Sequence, residues 1–395
     1  MELDARSVDG GVCAPRGFKA AGVSCGLKES GEPDLCILAA DASCAAAGAF
    51  TTNAFQAAPV RLTRERLSGG GFVRAVVVNS GNANAWTGAR GMDDARATAE
   101  VAAREIGADP REVVVASTGV IGKYLDMEKV KRGVREAAAR LDRRGASEAC
   151  RAIMTTDTFP KQSARECGGF TVGGMAKGAG MIKPDMATML CFITTDAEAD
   201  PAFLHRALRH AVDRTFNRIT IDGCTSTNDM VLAMAGGESG SRPSEEELRE
   251  ALFLVCSDLA RAIVQDGEGA TKFVRVRLHE AADEAEAKRA AMMVAESALV
   301  KTALFGGDPN WGRVVQALGQ AVRDADAAGV RIQIAGITVA GGGEPRKADL
   351  RSLEAAMAER EIALDLFLGR GEAGIEVWTC DYSHDYVRIN SQYHT

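Results

Sequence analysis

The chain has 395 residues, 46% apolar and 26% charged, with a net charge of −7; this suffices for a sizeable core and two domains and excludes a disordered segment or a disulfide-stapled mini-protein. An acidic balance with no basic run of five or more, and only four tyrosines and three tryptophans, excludes nucleic acid as a partner. Ten cysteines without a C-x-x-C pair, beside five histidines, signal neither a metal site nor a redox motif and read as buried thiols of a reducing compartment.

Met1-Glu2-Leu3-Asp4 lacks the basic and apolar regions of a signal peptide, and no run of 18 apolar residues follows. A cytoplasmic protein without a membrane partner is expected. Residues 73–79 (VRAVVVN) and 113–116 read as strands. Asp126 can cap a helix over 127–141, where Met127, Val130, Val134, Ala138 and Leu141 recur at spacings of three or four. Asp200-Pro201 opens a second helix through His210, and 230–235 reads as a strand. Ser244 and Glu247 form a capping box ahead of Leu248, Leu252, Val255, Leu259 and Ile263. Residues 272–278 (KFVRVRL) alternate as a strand with one wet face, 284–304 read as one long helix, and 330–335 are β-rich. The charged, alanine-rich HEAADEAEAKRAA after Leu278 places a domain junction near 280, dividing 1–280 from 281–395.

The densest glycine cluster, GGMAKGAGMIKPDMATML from Gly173 to Leu190, allows close backbone approach and sets Lys177 among exposed amides. The phosphate-loop order G-x-x-x-x-G-K-[ST] is absent, because Lys177 is followed by glycine. A tight turn between strands would explain the glycines but not a lysine and a threonine, Lys177 and Thr188, at the two ends. A threonine hydroxyl needs a base, and the histidines are poorly placed: His205 and His210 on a solvated helix face, His279 beside acids, His384 and His394 near the end. No Ser-His-Asp spacing is evident. The remaining common solution is an N-terminal threonine whose own α-amine, of pKa about 8, takes the proton, and this requires cutting the chain before it.

KGAGMIKPDMATML resembles the self-cleavage site of the ornithine acetyltransferase family (ArgJ, glutamate N-acetyltransferase). The resemblance extends in order through GFKAAGVSCGLKESGEPDL (17–35), AGAFTTNAFQAAPV (47–60), VVVNSGNANAWTG (76–88), VASTGVIG (115–122), IMTTDTFPKQ (153–162), TIDGCTSTND (220–229), DGEGATK (266–272), GGDPNWGR (306–313) and YVRINSQYHT (386–395). It covers essentially the whole chain, and nine weak motifs in sequence are jointly specific.

The resemblance implies an α/β (α+β) fold, a layered α/β/β/α sandwich with a smaller C-terminal α/β domain. It implies cleavage at Ala187-Thr188 into chains 1–187 and 188–395, assembled as α2β2. Thr188 would be nucleophile and base, moving acetyl from N-acetylornithine to glutamate and releasing ornithine, without a cofactor; acetyl coenzyme A as a further co-substrate is left open. Thr118 and Gly119 would form the oxyanion hole. Thr155, Lys177, Thr188, Glu268, Asn390 and Thr395 would bind substrate, with Thr156 an alternative to Thr155. Lys177 suits an α-carboxylate and Glu268 the δ-ammonium of ornithine. Without the family, Ser117-Thr118-Gly119 is a turn after a strand, Glu268 a solvated loop acid, and Asn390 and Thr395 a frayed tail. Asn79, Asn82 and Asn84 either shape the pocket or satisfy a turn, and Trp311 either walls the site or fills a domain interface. Two other readings stay open: a threonine-nucleophile aminopeptidase or amidohydrolase, and an amino-acid-binding protein that never cleaves itself.

Overall fold

A computed structural model describes residues 3–183, 189–323 and 326–392. These divide into two compact units, one running from the start of the described chain to Asn217 with Cys224–Ile263, the other comprising Arg218–Gly223 and everything from Val264 onward.

The first unit is built on a nine-stranded sheet of β1 (Ala5–Ser7), β2 (Phe18–Val23), β3 (Leu35–Phe50), β4 (Phe72–Asn79), β5 (Val113–Ser117), β6 (Lys161–Cys167), β7 (Phe170–Lys177), β8 (Leu190–Thr195) and β9 (Met230–Ala235). The order is β1-β6-β7-β8-β9-β3-β4-β5, with β2 beside β3; β4/β5 and β8/β9 run parallel and the other pairs antiparallel. The sixteen-residue β3 makes this possible. Its first half pairs with β2 and β4, its second half with β9, and its register against β4 breaks between Ala39 and Cys44. Alternation then decides what faces what. Val76, Val78, Val114 and Ala116 share one core with Phe192, Met230, Leu232 and Met234, so β4 and β5 line a common interior with β8 and β9.

The outer faces carry the helices. On one side Val77, Val115 and Ile37 meet Leu62 of α1 (Ala58–Ser68), Ala99 and Ala102 of α2 (Gly88–Ile106) and Val130 and Val134 of α3 (Met127–Ala139). Helix α4 (Ala146–Ile153) contributes Ala149, Cys150 and Ile153 to the interior. On the other side α5 (Pro201–Arg214) packs on β3 and β9, and α6 (Glu245–Gln265) presses Val255 and Leu259 against Gly174. The result is the mixed α/β layering that the sequence resemblance implies.

Local chemistry sets the helix ends as the sequence predicts. Asp126 and Asp200 accept hydrogen bonds from the Lys129 and Phe203 amides, and Ser244 and Glu247 bond each other's backbone N–H; each such cap is worth about 1 kcal/mol.

The second unit is a six-stranded sheet, β13 (Glu344–Pro345), β12 (Ile337–Gly341), β11 (Arg331–Ile334), β14 (Glu361–Phe367), β10 (Phe273–Ala281) and β15 (Ala373–Cys380) in spatial order. Val274, Val276, Leu278, Leu364 and Leu366 face α7 (Glu284–Glu296), α8 (Ala298–Phe305), α9 (Trp311–Ala321) and α10 (Leu350–Ala358); Arg275, Arg277 and His279 take the other face, the alternation expected of 272–278. The single helix expected over 284–304 is two helices. Ser297 stands between them with extended backbone (φ −64°, ψ 111°) and its hydroxyl accepts from the Val300 amide, restarting the helix. Trp311 opens α9 and packs on this unit's own core.

Nine of the ten cysteines are buried and Cys224 is exposed; burial pushes the Cys13 thiol up to about 12, and the Cys150 thiol likewise. Among the described residues no helix is long and apolar enough to cross a membrane.

Candidate active site

In the first unit the glycine cluster begins as strand. Gly173 and Gly174 lie inside β7, where a Cβ would stand 2.0 Å from the Gly11 carbonyl oxygen and 2.9 Å from Val255 and Leu259. They serve close packing rather than a loop. The strand ends on Lys177, which pairs with Leu190 across the β7–β8 hairpin, so 178–189 connect the two strands. Ala187 and Thr188 lie in this connection, outside the described residues.

Three sequence-remote segments converge at the end of β7. Lys177 is 4% exposed, and its Nζ donates to Thr118 Oγ1 at 3.3 Å. Thr118 follows β5; its amide donates to Asn79 O, and no further hydrogen bond engages its hydroxyl among the described residues. Gly119 beside it has φ +128°, and a Cβ there would be 2.4 Å from the Gly81 backbone carbon, so only glycine fits. The third segment is the loop after α4. The Asp157 carboxylate accepts from Thr155 N at 3.0 Å, from Gly178 N at 2.7 Å and from Lys161 Nζ at 2.6 Å. It thereby ties Thr155 to the residue after Lys177.

Both side chains of the Asp157–Lys161 pair are fully buried. Burial alone would raise the carboxyl pKa; the neighbouring Lys161 and Lys177 ammonium groups and the Thr155 amide override it and bring it to about 2. Asp229, 1% exposed, behaves oppositely: burial dominates and lifts its pKa well above the carboxylate range.

Asn79, Asn82 and Asn84 hold this corner together. Asn79 Nδ2 donates to Asn82 O and Asn79 Oδ1 accepts from Ser117 Oγ; Asn82 Oδ1 accepts from the Asn84 amide; Asn84 Nδ2 donates to Gly91 O. Asn228 joins in, its Nδ2 donating to Ala83 O at 2.7 Å and Ser117 O at 2.8 Å. These amides satisfy backbone groups that strands cannot reach.

In the second unit Glu268 is 8% exposed, and Asn390 Nδ2 donates to its Oε2 at 2.7 Å. Asn390 sits on α11 (His384–Gln392), so neither a solvated loop acid nor a frayed tail describes the pair. The Gly269 carbonyl accepts from Ser383 Oγ, fastening the Glu268 loop to the start of that helix. Thr395 lies outside the described residues. The structure thus brings Thr118, Gly119, Thr155 and Lys177 together in one unit, and Glu268 with Asn390 in the other. Asp157, Lys161, Asn228 and Asp229 also join the site; they lie in the motifs at 153–162 and 220–229, but the resemblance gives them no role there.

The model of the ArgJ family matches residues 19–395. Proteins called arginine biosynthesis bifunctional protein ArgJ are 49% identical in Symbiobacterium thermophilum (98% of this chain, 99% of the relative) and 46% identical in Geobacter sulfurreducens (96% and 99%). The crystal structure of ornithine acetyltransferase complexed with ornithine from Mycobacterium tuberculosis is 44% identical over 46% of this chain and 98% of its own, with a TM-score of 0.43.

Proposed function

This chain belongs to the ArgJ family, an acetyltransferase of arginine biosynthesis, and we propose that it moves acetyl from N-acetylornithine to glutamate through an ester on Thr188. The Thr188 hydroxyl attacks the Ala187 carbonyl, the C–N bond breaks as the amide shifts to an ester and frees the Thr188 α-amine, and water then hydrolyses the ester, releasing the Ala187 carboxylate and restoring the hydroxyl. That amine then takes the hydroxyl proton as Thr188 attacks the acetyl group of N-acetylornithine. Ornithine leaves, glutamate's amine attacks the acetyl ester, and N-acetylglutamate departs. The acyl bond is exchanged rather than made, so neither ATP nor a bound cofactor is needed.

The observation that carries this reading is the Lys177–Thr118 contact. A hydroxyl that accepts from an ammonium keeps its own proton to donate, polarised by the adjacent charge, and this suits Thr118, with the Gly119 amide, to an oxyanion. Thr155 and Lys177 would hold the α-carboxylate end of the substrate; Glu268, oriented by Asn390, would take the δ-ammonium of ornithine. The relatives' full-length matches favour this over the aminopeptidase reading. We place the enzyme in the cytoplasm as an α2β2 assembly of chains 1–187 and 188–395, with Thr395 completing the substrate site.

Incubation with N-acetylornithine should release ornithine stoichiometrically without glutamate and catalytically with it. Acetate release independent of glutamate would contradict the transferase. The relatives' designation as bifunctional supports acetyl coenzyme A as a second donor; free thiol produced from it in the presence of glutamate alone is the expected sign, and none above the Thr188→Ala background would restrict the enzyme to exchange.

A further inference from the structure

We propose that Asp229 is a positioning residue for self-cleavage, fixing the chain immediately after Thr188; this rests on the reading of Thr188 as the nucleophile. Parallel pairing of β8 with β9 sets Leu190 beside Met230, which brings Met189 to Asp229. The Met189 amide donates to Asp229 Oδ1 at 3.0 Å, and the Met230 amide donates to Met189 O at 3.0 Å. Consecutive residues therefore hold both backbone polar groups of Met189. Asp229 is itself anchored, its carbonyl accepting from the Thr51 amide at 3.0 Å.

The Met189 nitrogen is bonded to the Thr188 carbonyl carbon. Holding its N–H restrains the 188–189 peptide plane, so that the torsions φ, ψ and χ1 of Thr188 are what separates that plane from the two reacting atoms, the hydroxyl oxygen and the Ala187 carbonyl carbon. Attack requires reacting atoms at about 3–3.5 Å, and a displacement of about 1 Å costs roughly 100-fold. A carboxyl is an expensive way to hold one amide. Asp229 Oδ2 is buried without a hydrogen-bond partner among the described residues, and burial outweighs the Met189 amide and Lys177 in pushing the carboxyl pKa up. A buried polar group kept at that cost, hydrogen-bonded to the residue that follows Thr188, points to the cleavage geometry as its purpose.

The test compares Asp229→Asn, Asp229→Ala and Asp229→Leu in full-length chains made by cell-free translation, following the uncleaved fraction over time by denaturing electrophoresis, with thermal melting of each product. Asn presents the same acceptor to Met189 and should process within about threefold of the parent. Ala and Leu remove the acceptor and should slow processing about 10–100-fold while melting above the assay temperature. Parental rates in Ala or Leu would overturn the proposal, and so would a slow Asn variant, which would make the carboxyl group itself rather than the position decisive; the Asn result decides alone if Ala and Leu do not fold. A parent chain that never cleaves, or a Thr188→Ala chain that does, would instead refute the Thr188 reading.

Discussion

Thr188→Ala should yield one uncleaved chain of 395 residues with acetyl transfer reduced by at least about four orders of magnitude. The same atom is asked to do two jobs. Its hydroxyl opens the preceding peptide bond, and that cleavage then exposes the amine that activates the hydroxyl for every later turnover. No histidine or second base is invoked, so nothing compensates when the side chain is a methyl group. Denaturing electrophoresis and an N-acetylornithine:glutamate exchange assay check the two losses separately. A mutant that is cleaved and active would remove the nucleophile from the account.

Asp157→Ala should be the most damaging change away from Thr188. It leaves the Lys161 ammonium, fully buried, without its carboxylate, which costs about 3–5 kcal/mol, and it releases the Thr155 and Gly178 amides together. Exchange activity should therefore fall even at temperatures where the variant stays folded, because Thr155 and the residue after Lys177 lose their common anchor. The pH dependence follows from the same pair. A carboxyl whose folded pKa is depressed, here to about 2, stabilises the fold above its ordinary unfolded pKa of about 4 and ceases to do so as pH falls through the folded value. The contribution is about 2–3 kcal/mol, lost between about pH 4 and pH 2. Urea unfolding across that range should show a steeper decline in the parent than in Asp157→Asn; parallel curves would contradict the assignment.

Features governed by neighbours in sequence are legible. Asp126, Asp200 and the Ser244/Glu247 box act within four residues, and the alternation of KFVRVRL shows one apolar face directly. The break at Ser297 is also written there, since a serine before an alanine-rich helical run is an N-cap signal, but unbroken apolar periodicity on both sides masks it. The long strand β3 is not: LCILAADASCAAAGAF is rich in small residues of weak β-propensity, and only pairing with three neighbours makes it the strand that joins the two layers. Gly173 and Gly174 read as a loop because a glycine's reason for being present, Gly11 O on one face and α6 on the other, is tertiary.

The site divides the same way. Thr118, Lys177, Glu268 and Asn390 come from motifs of the resemblance. Asp157 and Asp229 also lie in such motifs, IMTTDTFPKQ and TIDGCTSTND, but no role attaches to them there, because a carboxylate's importance depends on which amides and ammonium groups the fold delivers to it. Asp157 meets Lys161 four residues on, yet in an irregular loop that spacing predicts no contact; Asp229 meets Met189 only through the β8–β9 register.

The most direct test is the intact mass of the purified protein, measured before and after addition of N-acetylornithine. The account predicts two chains with the masses of residues 1–187 and 188–395, and the gain of one acetyl group by the second alone, lost again when glutamate is added. A single uncut chain, or acetyl carried on 1–187, would contradict it.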